Sequence, residues 1–191
     1  MKAFLGQKST KQFYVDRIKR HRSKESLLQS FEYWADGKGC ALGCTLEQGE
    51  GVHEAYPEKL GLPVWLAYLE EHIFEALPEA DAKEWPLQFL EAIPVGASIP
   101  DSLRDRFQVF WLERQKTQID RAKYDQVATA VDGVISLLVQ AIESYEPESA
   151  AWSAAWSAAR PAACSAAMSE ACEAKVKRDW LLEELKTLKE E

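Results

Sequence analysis

Apolar side chains recur every three to four positions along most of this chain, the spacing that lines one face of an α-helix. Between residues 10 and 22 (TKQFYVDRIKRHR) Phe13, Tyr14 and Ile18 fall near one face among basic residues, and Leu27, Leu28, Phe31 and Trp34 repeat the spacing in a second segment. That second pattern predicts a helix stopped by Asp36-Gly37. Pro63 then suits the first turn of a helix striped by Val64, Leu66, Leu69, Ile73, Phe74 and Leu77, and Pro78 closes it. Residues 79 to 93 predict a shorter helix with Trp85, Phe89, Leu90 and Ile93 inward, Pro86 either bending it or starting a new turn. Pro94, Gly96 and Pro100 mark a loop.

From Asp101, a plausible N-cap, the chain reaches Ser144 without a proline, so one or two long helices fit. Their expected buried residues are Phe107, Phe110, Trp111, Tyr124, Val127, Val131, Ile135, Leu138 and Ile142. No convincing period-two strand is present. Residues 148 to 174 (ESAAWSAAWSAARPAACSAAMSEACEA) hold a four-residue pattern in which Ser149, Ser153, Ser157, Ser165 and Ser169 keep register. Alanine favours helix there, while Pro161 predicts a break near Arg160, followed by an amphipathic helix through Cys164, Met168, Cys172, Val176, Trp180, Leu181 and Leu185.

Residues 37 to 51 (GKGCALGCTLEQGEG) carry five of the nine glycines and predict a loop or irregular turn. The fold expected is therefore all-α, an irregular multi-helix bundle with a Gly/Cys-rich loop and a C-terminal Ala-rich helical hairpin. Residues 1–145 are expected to form the main domain, with 146–191 packing on it.

Composition excludes some classes. With 47% hydrophobic and 28% charged residues the chain has ordinary globular usage. No stretch approaches the roughly 18 apolar residues of a membrane span, and the first residues lack the apolar core of a secretory signal, so a cytoplasmic, membrane-free protein is expected. Cys40, Cys44, Cys164 and Cys172 are then expected as thiols. Net charge is −8 but uneven, since residues 1 to 24 carry eight basic residues against Asp16 and hold +7, leaving −15 on the rest. Such an arm can fold back on its own acidic body, dock an acidic partner through Arg17, Arg20 and Arg22, or offer residues 2–24 to nucleic-acid phosphates. Folding back needs no partner and comes first.

Candidate chemistry centres on the glycine-rich stretch. Cys40 and Cys44, with His53 nearby, are ligand types that zinc favours, and His21, Glu50 or Glu54 could complete the set. Otherwise no cofactor is expected. Two thiols packed as small apolar groups are the commoner outcome, and a nucleophilic cysteine assisted by His53 is a further reading. Gly37, Gly39 and Gly43 fit neither the Walker nor the dinucleotide spacing, which removes a nucleotide fold. Glu70, Glu71 and Glu75, with His72 beside them, read as a solvated acidic face.

GKGCALGCT (37–45), His53-Glu54-Ala55-Tyr56, Leu60-Gly61-Leu62-Pro63 and Phe74-Glu75-Ala76-Leu77-Pro78 together resemble a family of bacterial and phage proteins without an assigned activity, over much of residues 10 to 140. The resemblance implies that the glycine-cysteine stretch and the helix after it form a unit, and lends no catalytic residue. The Ala/Ser/Trp repeat is similar to Ala-rich helical pairs of immunity proteins from bacterial toxin systems. The leading expectation is a non-enzymatic helical protein that binds a protein partner, as in toxin neutralisation or phage defence. Its competitor is a metal- or cysteine-dependent enzyme centred on Cys40, Cys44 and His53.

Overall fold

A computed structural model describes residues 1–30, 32–144 and 170–189. These residues are mostly helical, with one two-stranded sheet, as the periodicity predicts. The chain divides into two compact units, Met1–Ile99 with Ser169–Glu191, and Pro100–Met168. Most of the repeat, including Trp152, Trp156, Pro161, Cys164 and Met168, lies outside the described residues.

In the first unit a 3₁₀ turn (Ala3–Gly6) leads into α1 (Lys8–Ser23), which buries Tyr14, Val15, Ile18 and His21. Phe13 was expected inside and instead stands half-exposed, with the Arg17 guanidinium 4.5 Å from its ring. The second predicted helix does not form. Residues 24 to 30 and 32 to 33 are irregular, with positive φ at Glu25 and Ser30, a backbone state that breaks a helix. Two short strands follow, β1 (Trp34–Ala35) and β2 (Lys38–Gly39), paired antiparallel with Trp34 opposite Gly39 and Ala35 opposite Lys38. Asp36-Gly37 is the turn between them, with φ of 50° and 79°, the two positive angles of a type I′ hairpin.

Part of the expected Gly/Cys loop is also a helix, α2 (Ala41–Leu46), on whose first turn the Cys40 Sγ accepts from the Gly43 N–H. Next come α3 (Val52–Leu60), α4 (Val64–Ala76) and α5 (Glu79–Ala92). Pro63 and Pro78 each stand immediately before a helix, where a missing N–H costs nothing. Helix α5 continues through Pro86 and buries Trp85, Phe89 and Leu90 completely, with Ile93 just beyond. Burial of each such side chain is worth about 1.5–3 kcal/mol.

Helix α8 (Glu170–Thr187; α6 and α7 belong to the other unit) packs on α4 and α5. Leu181 and Leu185 are buried as expected, joined by Ala174 and Lys177, whose Nζ lies 3.0 Å from His72 Nε2.

The second unit pairs α6 (Asp101–Lys116) with α7 (Arg121–Ser144). Its core is Leu112, Val131, Val134, Ile135 and Leu138, flanked by Val109 and Ile119. Val131, Ile135 and Leu138 lie where the spacing put them. Phe107, Phe110 and Trp111 are only half-buried, because α6 turns Leu103, Gln108, Leu112 and Gln115 inward, and Tyr124, in the first turn of α7, is exposed.

Candidate functional site

The distinctive local structure of the first unit is the crossing of Tyr33 over α2. A Cβ on Gly43 would come to 1.4 Å from the Tyr33 carbonyl oxygen, and one on Gly39 to 2.0 Å. Only hydrogen at both positions lets the backbone pass so closely. Within the GKGCALGCT stretch Gly39 and Gly43 therefore form a saddle for Tyr33, where they serve contact between backbones, while Gly37 serves the turn.

Its cysteines serve the same saddle. Both are buried; the Cys44 thiol donates toward the Gly39 and Ser26 carbonyls at 3.3 and 3.5 Å. Burial pushes the Cys40 thiol up to about 11 and the Cys44 thiol up to about 12. At neutral pH both carry their protons, and a protonated thiol is not a nucleophile.

Two histidines brace the aromatic pair carried by the crossing strand. The His21 ring meets Trp34 edge-on at 5.1 Å, its Nδ1 2.9 Å from Ser26 Oγ and its Nε2 3.1 Å from Glu47 Oε1. Burial is the main cause that holds His21 below the usual imidazole range, against the opposing pull of Glu47. On the other side, His53 meets Tyr33 edge-on at 5.6 Å and stacks on Tyr68 at 3.8 Å, with Nε2 2.8 Å from Glu71 Oε2. Burial, then the adjoining Glu71 carboxylate, raises the Tyr33 hydroxyl above its ordinary range. Each ring is thus fixed by an imidazole that is itself held by a carboxylate.

Beside this pair opens a cleft of about 700 Å³, walled by Tyr33 and Trp34 and edged by Glu32, Glu50, Glu71 and Glu75. No lysine or arginine is among its lining residues. Glu71 is engaged with His53, and Glu75 Oε2 accepts the Ser30 N–H at 2.6 Å. Glu32 and Glu50 are exposed, and neither forms an ion pair among the described residues. Burial, with the Glu71 charge adding to it, raises Glu75 above the usual carboxylate range.

The acidic face on α4 differs from its expectation. Glu70 is fully buried, accepting from the Tyr56 hydroxyl at 2.6 Å, while its own carbonyl accepts from Trp85 Nε1 at 3.0 Å. Burial pushes its carboxyl up to about 8, and its other oxygen, Oε1, has no hydrogen-bond partner.

The predicted metal ligands share a neighbourhood without converging. Cys40 and Cys44 bond to backbone around α2, and His53 is committed to Glu71. Among the described residues no three His, Cys, Asp or Glu side chains gather to hold a metal ion. The basic arm folds back: Arg17 and Arg20 reach Glu47 at 3.5 and 3.9 Å, Arg22 reaches Glu84 at 2.6 Å, and Lys19 reaches Glu91 at 3.3 Å. Arg17 also donates to the Thr45 carbonyl, tying α1 to α2.

Sequence reasoning passed over Tyr33, Trp34 and Glu32 as functional residues, and placed Glu71 and Glu75 on a plain solvated face. The signal that could have found them was Asp36-Gly37, a hairpin turn that sends the preceding aromatics across the glycines instead of along a helix. No described helix is long and apolar enough to cross a membrane. No family model, curated protein or solved structure matches the chain, so the chemistry of this cleft is the ground on which its role is argued.

Proposed function

We propose that this protein works by binding another macromolecule, a protein, and that the Tyr33–Trp34 cleft is its contact surface. One observation carries the reading: Glu47, Glu84 and Glu91 are paired with Arg and Lys side chains of α1, whereas among the described residues no Arg or Lys pairs with Glu32, Glu50, Glu71 or Glu75 of the cleft. Charges left uncompensated beside rigid aromatic rings favour a partner that supplies the missing sign. A role in bacterial conflict, such as toxin neutralisation, is the narrower form of this proposal and takes its support from the same surface and from the absence of a recognisable catalytic motif.

The competing enzyme centred on Cys40, Cys44 and His53 has less support. A cysteine nucleophile needs a thiolate, and a thiol at about 11 or 12 is protonated at neutral pH.

The test is affinity purification from the host with tagged wild type and a Glu32→Lys/Glu50→Lys variant, followed by rebinding with the purified partner. A partner held by the wild type and lost by the variant is expected. Retention by both, or no partner for either, sinks the cleft as a contact surface. Near-stoichiometric zinc that disappears in Cys40→Ala/Cys44→Ala would instead support the metal-dependent alternative.

A further inference from the structure

We infer that the cleft receives a basic polypeptide segment, with an arginine guanidinium lying against Tyr33 and Trp34 and the carboxylates of Glu32, Glu50, Glu71 and Glu75 around it. This inference rests on the reading of the protein as a macromolecule-binding one and names the partner's chemistry.

Tyr33 and Trp34 are consecutive on a segment whose backbone lies close against Gly39 of β2 and Gly43 of α2, and each ring is met edge-on by a buried histidine. Rings fixed before binding lose little freedom on binding, which favours affinity. An aromatic face attracts a cation, and the planar, weakly hydrated guanidinium stacks on it better than a compact ammonium does.

Charge selects the same ligand. Four carboxylates drawn from three separate stretches of chain line the cleft, and among the described residues no lysine or arginine does. Burial first, with the Glu71 charge adding to it, raises Glu75 and the Tyr33 hydroxyl, both of which line the cleft. A guanidinium can stack by its face while its N–H edge donates to a carboxylate. An anionic ligand would meet the repulsion of four lining carboxylates.

Size decides between a free cation and a segment. A cleft of about 700 Å³ lies within the usual span of ligand sites, roughly 300–1,000 Å³, and far exceeds one guanidinium. Arginine with its flanking residues fills such a space.

Calorimetry on the intact protein tests the inference, using a capped Gly/Ser peptide with three arginines, its citrulline counterpart, spermine and calcium chloride as separate titrants. The expected result is a saturable isotherm for the arginine peptide alone. Its dissociation constant should rise at least about tenfold in Glu32→Gln/Glu50→Gln, and should rise with salt because exposed charges are screened. Both side chains are exposed and neither forms an ion pair among the described residues, so the variant should fold as wild type. A Glu58→Gln/Asp125→Asn control removes two charges elsewhere and should bind like wild type. Equal weakening in the control, equal binding of citrulline peptide, or preference for spermine or calcium overturns the inference. If the peptide fails while a cleft-dependent protein partner is still captured, the partner chemistry is wrong and the binding role stands.

Discussion

Glu70 stands in register with Leu66, Ala67, Ile73 and Phe74, three or four positions away on either side, all of them buried. The helical period therefore points it inward, and the sequence held that information; charge suggested solvent and obscured it. Inside, burial raises its carboxyl from the ordinary 4.5 to about 8. A folded-state value above the unfolded one means that the native protein holds the proton more tightly. Stability from this group is complete below about pH 4.5, declines as pH rises through that window, and is lost above about pH 8. A Glu70→Gln substitution keeps an acceptor for Tyr56 and removes the titration. The variant should be more stable than wild type at pH 9, by about 3–5 kcal/mol on full transfer of the shift, and should converge with it near pH 4.5. His21 acts in the opposite direction, since its lowered value removes stability as pH falls below the ordinary 6.5. That contribution is common to both proteins and cancels in the difference. Urea unfolding from pH 4.5 to 9 checks this, and parallel stability curves would refute an internal proton on Glu70.

Among the elements, helices α4 and α5 were legible in detail because their stripes are long and prolines stand before both. The stretch from 24 to 46 was not, because four apolar residues at helical spacing imitated a helix while turn chemistry decided the outcome. Asp36-Gly37 serves equally as a helix stop and as a two-residue hairpin turn, and the difference lies in contacts between Tyr33 and α2 that no local pattern encodes. The same contacts explain why both Gly39 and Gly43 are glycine although neither has a left-handed backbone. A methyl group at Gly43 would strike the Tyr33 backbone, which cannot swing aside as a side chain can. Gly43→Ala should therefore destabilise by about 2–3 kcal/mol, the range of overpacking in a filled interior. Gly133, within α7, has nothing within 4 Å of its would-be Cβ. Gly133→Ala should stabilise by about 0.5–1 kcal/mol, since alanine is the better helix former. Urea unfolding followed by circular dichroism compares the pair, and a neutral Gly43→Ala would remove the saddle as the reason for the motif.

For the molecule as a whole, the all-α class was legible, whereas the division at Pro100 was visible only as a Pro/Gly loop like any other. Long-range charge was legible in sign and needed the structure for its partners. The basic first helix lies against acidic residues from α5 and from the end of α2, so Arg17, Arg20, Lys19 and Arg22 meet Glu47, Glu91 and Glu84. Exposed pairs of this kind add only about 0–1 kcal/mol each to stability, but they change what the surface offers to a polyanion. A phosphate must displace a carboxylate before it gains an arginine, and most of the surrounding surface repels it, since the chain outside residues 1–24 carries −15. Each phosphate contact contributes a slope of about −0.9 to the dependence of log affinity on log salt for duplex DNA. With the arginines engaged, one or two contacts are all this helix should make, giving a slope no steeper than about −2 and negligible binding near 150 mM salt. Fluorescence anisotropy of a labelled duplex, titrated with the protein from 20 to 200 mM salt, measures that slope. A slope of about −5 or steeper would mean that the ion pairs open and that α1 is a nucleic-acid surface after all. The same titration after Glu47→Gln/Glu84→Gln should steepen, because freeing the arginines from their carboxylates restores the contacts that folding back removes.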